Sequence, residues 1–198
     1  MSLDPPCSLE SVIATPQLGQ RKARVVDAEA ETRATLELVR QLADHPEEFF
    51  PQLVQAVQEF TSGDSAGISL LDEDRKRFIW PAVSGGLAAY VGGGTPSDFG
   101  PCGTVLDRNA TVLFLHPERH FTYLMPITPS LEEVLLVPFH VNGKAVGTIW
   151  SVIHEPGRHF DREDQRLLEN LSDIAASAYR VLIDSGSLSR FIGTADPA

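Results

Sequence analysis

The dipeptide Asn142-Gly143 constrains the fold more than any other feature of the sequence. It separates two runs, EVLLVPFHV (133–141) and KAVGTIWSVI (144–153), that are rich in β-branched and aromatic residues. Both central residues of a type I′ turn need a positive φ, which Asn and Gly adopt more readily than other residues. The sequence therefore predicts a β-hairpin here, with its two strands antiparallel.

A second pair of strands is predicted upstream. AGISLL (66–71) and RFIWPAV (77–83) bracket the turn DEDRK, and both runs are typical of strands. A glycine-rich region from Ser84 to about Thr128 follows. We expect this region to be irregular, except for a short strand TVLFL (111–115).

Helical periodicity is confined to the two ends of the chain. We expect a long helix from about Val25 to Ala43, a second helix from His45-Pro46, and a last one after Asp161. Their expected apolar positions, helix by helix, are Ala28, Thr32, Thr35, Val39 and Leu42; Phe49, Leu53, Val57 and Phe60; and Leu167, Leu171, Ile174, Ala178 and Val181. Phe160 before Asp161, with Asp164 three residues on, is typical of a capped helix start.

These elements predict one domain with two extensions. Residues 1–24 mix prolines with scattered aliphatic residues and predict a loosely held N-terminal arm. Residues 25–184 form the predicted domain, and residues 185–198 predict a Ser/Gly-rich C-terminal linker or tail. Strands that pair as hairpins, with helices at the ends of the sequence, indicate an α+β fold with an antiparallel sheet.

Charge and cysteine content argue against several classes of protein. The net charge of −11 argues against a nucleic-acid partner, because contacts to a phosphate backbone need a basic face. No run approaches the roughly 18 apolar residues of a membrane helix, and no secretory signal is recognisable, so we expect a cytoplasmic protein without a membrane partner. Two cysteines, Cys7 and Cys102, are too few for a disulfide framework and are expected to be reduced thiols.

Four stretches of the sequence resemble the GAF domain, a small-ligand sensory module. They are DSAGISLLDED, GGGTPSDFGPCGTVLDRN, LLVPFHVNGKAVGTIWSVIH and HFDREDQRLLENLSDIAASAYRVL, and the resemblance covers roughly Val25 to Asp184. GTPSDFGPCGTVLDRN and HPERHFTYL are similar to the N-terminal GAF modules of bacterial multi-sensor histidine kinases. The resemblance implies about six antiparallel strands, terminal helices on one face of the sheet, and an irregular segment covering a pocket on the other.

The chemical motifs within residues 92–120 are incomplete. The Gly-rich stretch has no lysine for a phosphate-binding loop, and it lacks the signature of GAF domains that bind cyclic nucleotides. The Cys-His dipeptide typical of bilin attachment is absent, because Gly103 follows Cys102. His116 and His120 are four residues apart but have no third ligand at a recognisable spacing. We therefore predict no metal site and leave the cofactor unassigned.

Two roles are considered for Cys102, a catalytic one and a packing one. GAF enzymes that reduce methionine sulfoxide use several cysteines, because a sulfenic acid must be resolved by a second thiol. Only Cys7 is available, in the predicted arm. We therefore favour a packing role for Cys102 and predict no catalytic residue.

The long irregular segment is interpreted as a cover over a pocket, since connections of about 45 residues are rare unless functional. Trp80 and Trp150 are candidates for the pocket floor. Trp150 faces the pocket if the small residues of its strand pack on a helix, and the alternative is that Trp150 is simply a core residue. Ligand contacts are predicted at eight residues: Trp80, Phe99, Cys102, Asp107, Arg108, His120, Tyr123 and Trp150. Asp107-Arg108 would equally serve as an ion pair or a helix cap.

Three functions remain open from the sequence. The first is a non-catalytic sensory domain that binds an unidentified small molecule and signals through its terminal helices, as a homodimer, to a downstream histidine kinase. The second is a cysteine-dependent reductase of the methionine sulfoxide type. The third is a purely structural dimerisation domain.

Overall fold

A computed structural model describes residues 7–192 of the chain. The helices are α1 (Ala28–Asp44), α2 (Phe49–Phe60), α3 (Pro101–Arg108), α4 (Arg162–Asp184) and α5 (Ser189–Ile192). The strands are β1 (Ser65–Asp72), β2 (Arg77–Gly85), β3 (Gly94–Pro96), β4 (Val112–Leu115), β5 (Glu133–Val141) and β6 (Lys144–Ile153). Short 3-10 turns connect several of these elements.

The six strands form one antiparallel sheet in the order β3-β2-β1-β6-β5-β4. The predicted β5–β6 hairpin is confirmed, and Asn142 and Gly143 at its turn have φ values of 54° and 77°. The β1–β2 pair and the short strand β4 are also confirmed. The predicted α+β class with a six-stranded sheet is therefore correct.

The two faces of the sheet carry separate hydrophobic cores. In β5, Leu135 and Val137 belong to the core shared with α2 and α4, which we call the helix-side core. The alternate residues Val134 and Leu136 belong to the core shared with α3, which we call the pocket-side core. This alternation follows from the two-residue period of a strand. Strand β5 therefore contacts both layers of the domain.

The helices lie largely where the sequence places them. The start of α4 is confirmed as a capping box, in which Asp161 accepts from the Asp164 N–H and Asp164 accepts from the Asp161 N–H. The predicted apolar stripe of α1 is wrong, because Leu38 is its buried residue whereas Val39 is 51% exposed. Helix α1 packs on α2 rather than on the sheet, and this contact buries a narrower face than the predicted one.

The prediction of a loosely held N-terminal arm is wrong for residues 7–24. Val12 is buried in the pocket-side core and Leu18 in the helix-side core, and Ile13 bridges Phe114 of β4. The Ala14 N–H also donates to the Leu113 carbonyl at 2.8 Å. Burial of aliphatic side chains on both faces of the sheet thus holds this segment, and residues 1–6 lie outside the described part of the chain.

The predicted C-terminal tail is likewise packed as far as the structure describes it. Helix α5 brings Phe191 against Phe50 of α2, with ring centroids 5.0 Å apart. The remainder of the predicted tail, residues 193–198, lies outside the described residues. Across residues 7–192, no helix combines the length and apolar character that crossing a bilayer requires.

Candidate functional site

A cavity of about 50 Å³ lies on the sheet face opposite α2 and α4. Strands β2, β3, β5 and β6 form its floor, and α3 with the turns around Pro117 and Leu124 forms its cover. Most of its lining side chains are apolar or aromatic: Trp80, Leu87, Thr95, Pro101, Cys102, Pro117, Leu124, Ile127, Leu131, Val134, Leu136, Trp150 and Val152. The predicted pocket and its covering segment are therefore present.

The cover is more regular than the sequence suggested. Pro101 begins α3, where a missing N–H costs nothing, and Asn109 ends the helix in the left-handed conformation with φ 49°. Gly103 lets α3 approach the preceding loop, because a Cβ at this position would lie 2.2 Å from the Ser97 carbonyl oxygen. A tight helix-loop contact therefore fixes Cys102 against the sheet.

The two tryptophans meet edge to face at the cavity floor. Their ring centroids are 5.8 Å apart with an interplanar angle of 65°. Trp150 crosses β1 at Gly67, where a Cβ would lie only 2.2 Å from Cζ2 of the indole. The Nε1–H of Trp150 donates to Ser69 Oγ at 2.9 Å, whereas Trp80 Nε1 is buried without a partner among residues 7–192. Both predicted floor residues line the cavity.

Cys102 is a buried thiol in a polar environment. Its Sγ–H donates to Ser69 Oγ at 3.4 Å. Burial raises the pKa of the thiol, and the hydroxyls of Ser69, Thr148 and Thr95 offset part of that increase. Both threonine hydroxyls are buried without a well-aligned hydrogen bond in the described chain. The raised pKa makes Cys102 a weak nucleophile, because the thiolate is the reactive form.

Phe99, His120 and Tyr123 come together, but in the cover and outside the cavity lining. Their rings surround Phe121, to which the Phe99 centroid is 5.2 Å and the His120 centroid 4.7 Å distant. His120 Nδ1–H donates to the Cys7 carbonyl at 2.7 Å, because a carbonyl only accepts. Burial, and then the nearby Cys102, raise the pKa of Tyr123. These three residues therefore do not line the cavity, and ligand contact by them stays a prediction.

Asp107 and Arg108 do not reach the cavity either. Both are exposed in the last turn of α3, and Arg108 forms an ion pair with Glu10 on the surface. No hydrogen bond or ion pair of the Asp107 side chain occurs in the described part of the chain. The apolar positions of α3 face the sheet, so helical geometry turns these two charged residues to solvent.

The two histidines that lie four residues apart, His116 and His120, make separate contacts. His116 adopts the left-handed conformation before the turn at Pro117, and its ring lies 3.5 Å from both Glu118 and Glu132. His120 is held by the Cys7 carbonyl. Within the part of the chain that the structure describes, no group of three His, Cys, Asp or Glu side chains is arranged to hold a metal ion.

A buried ionic network links β5 to the N-terminal segment and to the start of α4. The sequence analysis did not predict this network. Glu133 accepts from Arg21 Nη1 and Nη2 at 2.9 and 2.8 Å, from His159 Nδ1 at 2.7 Å, and from the Phe160 N–H at 2.9 Å. Nearby, Asp164 accepts from Arg24 Nε at 3.0 Å. Glu133 is 1% exposed, and it precedes Val134 of the cavity lining.

Burial raises the pKa of Asp164 to about 6, although the Asp161 N–H and Arg24 favour its charged form. Two signals in the sequence pointed to this network. One is a glutamate at the start of the apolar run EVLLVPFHV, and the other is the Asp161-Asp164 pair. Neither signal identified the arginine partners, which lie more than a hundred residues away.

The chain is similar to known proteins in sequence profile and in fold. The family model described as GAF domain matches residues 43–179. The GAF domain of an Acinetobacter phosphoenolpyruvate-protein phosphotransferase is 20% identical with a TM-score of 0.68, covering 80% of this chain and 97% of that one. A search of curated proteins found no match.

Two further solved structures have different roles. Free methionine-R-sulfoxide reductase from Neisseria meningitidis, in complex with its substrate, is 17% identical with a TM-score of 0.66, covering 83% of this chain and 97% of that one. The GAF-B domain of DevS from Mycobacterium smegmatis is 16% identical with a TM-score of 0.58, covering 73% of this chain and 99% of that one. At these identities the similarity establishes the fold alone.

Proposed function

Because the chain belongs to the GAF domain family, we propose that it is a non-catalytic sensory domain that binds a small molecule in the cavity and signals through its terminal helices. The output in this proposal is a histidine kinase of bacterial signal transduction. That part rests on the similarity of GTPSDFGPCGTVLDRN to the modules of multi-sensor histidine kinases.

The observation that carries the proposal is the shared wall between cavity and helices. Val134 and Leu136 line the cavity, while Leu135 between them packs in the helix-side core. Glu133 at the same end of β5 contacts Arg21 and the residue before the α4 cap. A ligand that displaces β5 therefore acts on both the N-terminal segment and the start of α4, which gives a physical route for a signal.

A reductase function is disfavoured by the cavity. Methionine sulfoxide carries a carboxylate and an ammonium group, and each needs a charged or strongly polar partner when buried. The cavity lining offers neither kind of charge within residues 7–192. Cys102 is the thiol at this site, and its raised pKa opposes nucleophilic attack.

We also propose a homodimer through the terminal helices. Helix α1 exposes Leu36 and Val39, each 51% exposed, and α4 exposes Val181 and Ile183 near its end. Apolar residues exposed on terminal helices are typical of a helical-bundle interface. Replacing both Leu36 and Val39 by Glu should convert the dimer to a monomer in sedimentation velocity. A wild-type protein that is monomeric over the whole concentration range would refute the proposed homodimer.

Native mass spectrometry of protein purified from its own host tests ligand binding. We expect a bound mass on the wild type and none on Leu136→Phe, because the larger ring fills the cavity. The matched control is Val25→Phe, at a position 98% exposed, which should keep the bound mass. If Leu136→Phe retains the bound mass as the wild type does, the ligand lies outside the cavity. If the wild type reduces methionine sulfoxide and Cys102→Ser does not, the protein is an enzyme instead.

A further inference from the structure

The surface that the cavity presents to a ligand is apolar throughout. Aliphatic side chains from the cover and from the sheet contribute to it, among them Leu124, Leu131, Val134, Leu136 and Val152. Within residues 7–192, no Asp, Glu, Lys, Arg or His side chain belongs to the lining. A ligand in the cavity therefore contacts carbon atoms and finds no countercharge.

The polar atoms of the lining residues do not reach this surface. The Nε1–H of Trp150 donates to Ser69 Oγ at 2.9 Å, and the Cys102 thiol donates to the same oxygen at 3.4 Å. Trp80 Nε1 and Thr95 Oγ1 are buried without a partner in the described chain, and they expose no surface to the cavity. Hydrogen bonds to these groups are therefore closed to a ligand that occupies the cavity.

Such a surface discriminates between molecules by their polarity. A buried water needs two to four polar partners, so an apolar cavity is a poor site for water. A small apolar molecule gains dispersion contacts with the lining and leaves water favourably. A polar or charged molecule instead gives up its hydrogen bonds to water and gains none in return. The lining therefore favours ligands that have no polar atoms.

We infer, on the premise that the proposed function holds, that the cavity binds a small apolar molecule, of the chemistry of a short hydrocarbon. Its size is limited by the cavity volume of about 50 Å³, which gives room for roughly three to five water-sized groups at 10–15 Å³ each. By comparison, an apolar cavity of about 150 Å³ takes benzene. Nucleotides, tetrapyrroles and free amino acids are excluded by size and by polarity together.

Four probes with the same planar, branched skeleton test the apolar requirement. They are isobutene, acetone, acetamide and acetate, which differ chiefly in polarity and charge. Each is titrated into the full chain with 13C-labelled leucine and valine methyl groups, and replacement of Leu136 by Val assigns the Leu136 signals. We expect Leu136 to respond to isobutene more strongly than Leu135, because Leu136 lines the cavity and Leu135 packs in the helix-side core.

The expected effects are measured as ratios of Kd. Acetamide should bind about 5- to 150-fold more weakly than isobutene, because its amide is buried without a hydrogen bond. Acetone should lie between these two probes, and acetate should bind more weakly than acetamide because it is charged. Leu136→Phe should abolish the response to isobutene, because the larger ring fills the cavity.

The variant Val134→Thr tests the same requirement from the side of the protein. It keeps the shape of the side chain and adds a hydroxyl at a lining position. The preference for isobutene over acetamide should shrink by about 2- to 12-fold, the range for one hydrogen bond. Val137→Thr is the matched control in the same strand, because Val137 packs in the helix-side core, and it should leave the preference unchanged. Thermal unfolding checks that both variants fold.

The outcomes separate this inference from the proposed function. If acetamide or acetate binds as tightly as isobutene, or if Val134→Thr and Val137→Thr show equal preferences, the inference is overturned and ligand sensing stays in place. The same holds if no probe binds while host-purified protein carries a mass that Leu136→Phe lacks. If isobutene binds in the expected order but the backbone amide signals of α4 do not move, the ligand class stands and the signalling part of the proposed function fails. If no probe binds and no mass is retained, both the inference and the proposed function fail.

Discussion

Replacing Glu133 by Gln should destabilise the protein severely although the two side chains have the same shape. The carboxylate accepts four hydrogen bonds, from Arg21 Nη1 and Nη2, His159 Nδ1 and the Phe160 N–H. An amide keeps one accepting oxygen and turns an NH₂ donor toward the remaining donors. The Arg21 guanidinium, with 17% of its side chain exposed, is then left beside a neutral group.

The size of the effect follows from burial. Removing one partner of a buried ion pair costs about 3–5 kcal/mol of unfolding free energy. Arg21 keeps some solvent contact, so we expect the lower end, about 3 kcal/mol, for Glu133→Gln. In a domain of this size such a loss lowers Tm by about 6–12 °C. Equilibrium unfolding in urea, followed by tryptophan fluorescence and circular dichroism, measures it.

The neighbouring residue supplies a matched control. Glu132 lies 3.5 Å from His116 with 21% of its side chain exposed, and its replacement by Gln should cost less than about 1 kcal/mol. The double variant Arg21→Met with Glu133→Gln should be more stable than Glu133→Gln alone, because it removes the uncompensated charge. If Glu133→Gln unfolds at the same urea concentration as Glu132→Gln, the network does not hold the N-terminal segment.

Three further predictions concern single residues. The pKa of Asp164 is raised from 3.8 to about 6, so the stability that its protonated form contributes is complete below pH 3.8 and is lost as the pH rises through about 6. Urea unfolding between those pH values should detect this decline. The Asp164→Asn variant should not show the decline. Gly67→Ala should lower the free energy of unfolding by about 1–3 kcal/mol and change the fluorescence of Trp150, since the added methyl meets the indole. Gly19→Ala is the control, because the space around Gly19 is open, and it should leave the unfolding free energy unchanged in the same assay. A thiol reagent should titrate one of the two cysteines in native protein and both in urea, because Cys102 is 4% exposed; rapid titration of two thiols under native conditions would contradict its burial.

Local signals account for the parts of the fold that the sequence predicted. The Asn142-Gly143 turn and the Asp161 cap each depend on residues within a few positions, and both are confirmed. The two-residue period of β6 predicted which of its residues share a face with Trp150, but it left open whether Trp150 faces a pocket or only the core. In the structure Trp150 does both, because it belongs to the pocket-side core and also lines the cavity.

The parts that failed depend on contacts between distant residues. Arg108 was placed at the pocket because it lies in the covering segment, but the helical phase of α3 sends it to Glu10. Phe99 and Tyr123 were predicted as ligand contacts, but they pack on Phe121 within the cover and outside the cavity lining. Glu133 was not singled out, since nothing near it in sequence reveals Arg21. Side-chain partners across the tertiary fold are not encoded in any local period.

The attachment of the N-terminal segment has a consequence for folding during synthesis. Arg21 pairs with Glu133, 112 residues later, and Arg24 with Asp164, 140 residues later. Val12 and Leu18 emerge from the ribosome before the later strands and helices whose cores bury them. Closing such long loops is slow. Within this domain, residues 7–24 should thus be among the last to dock, and nascent chains that have not yet formed α4 should expose this segment to chaperones and proteases.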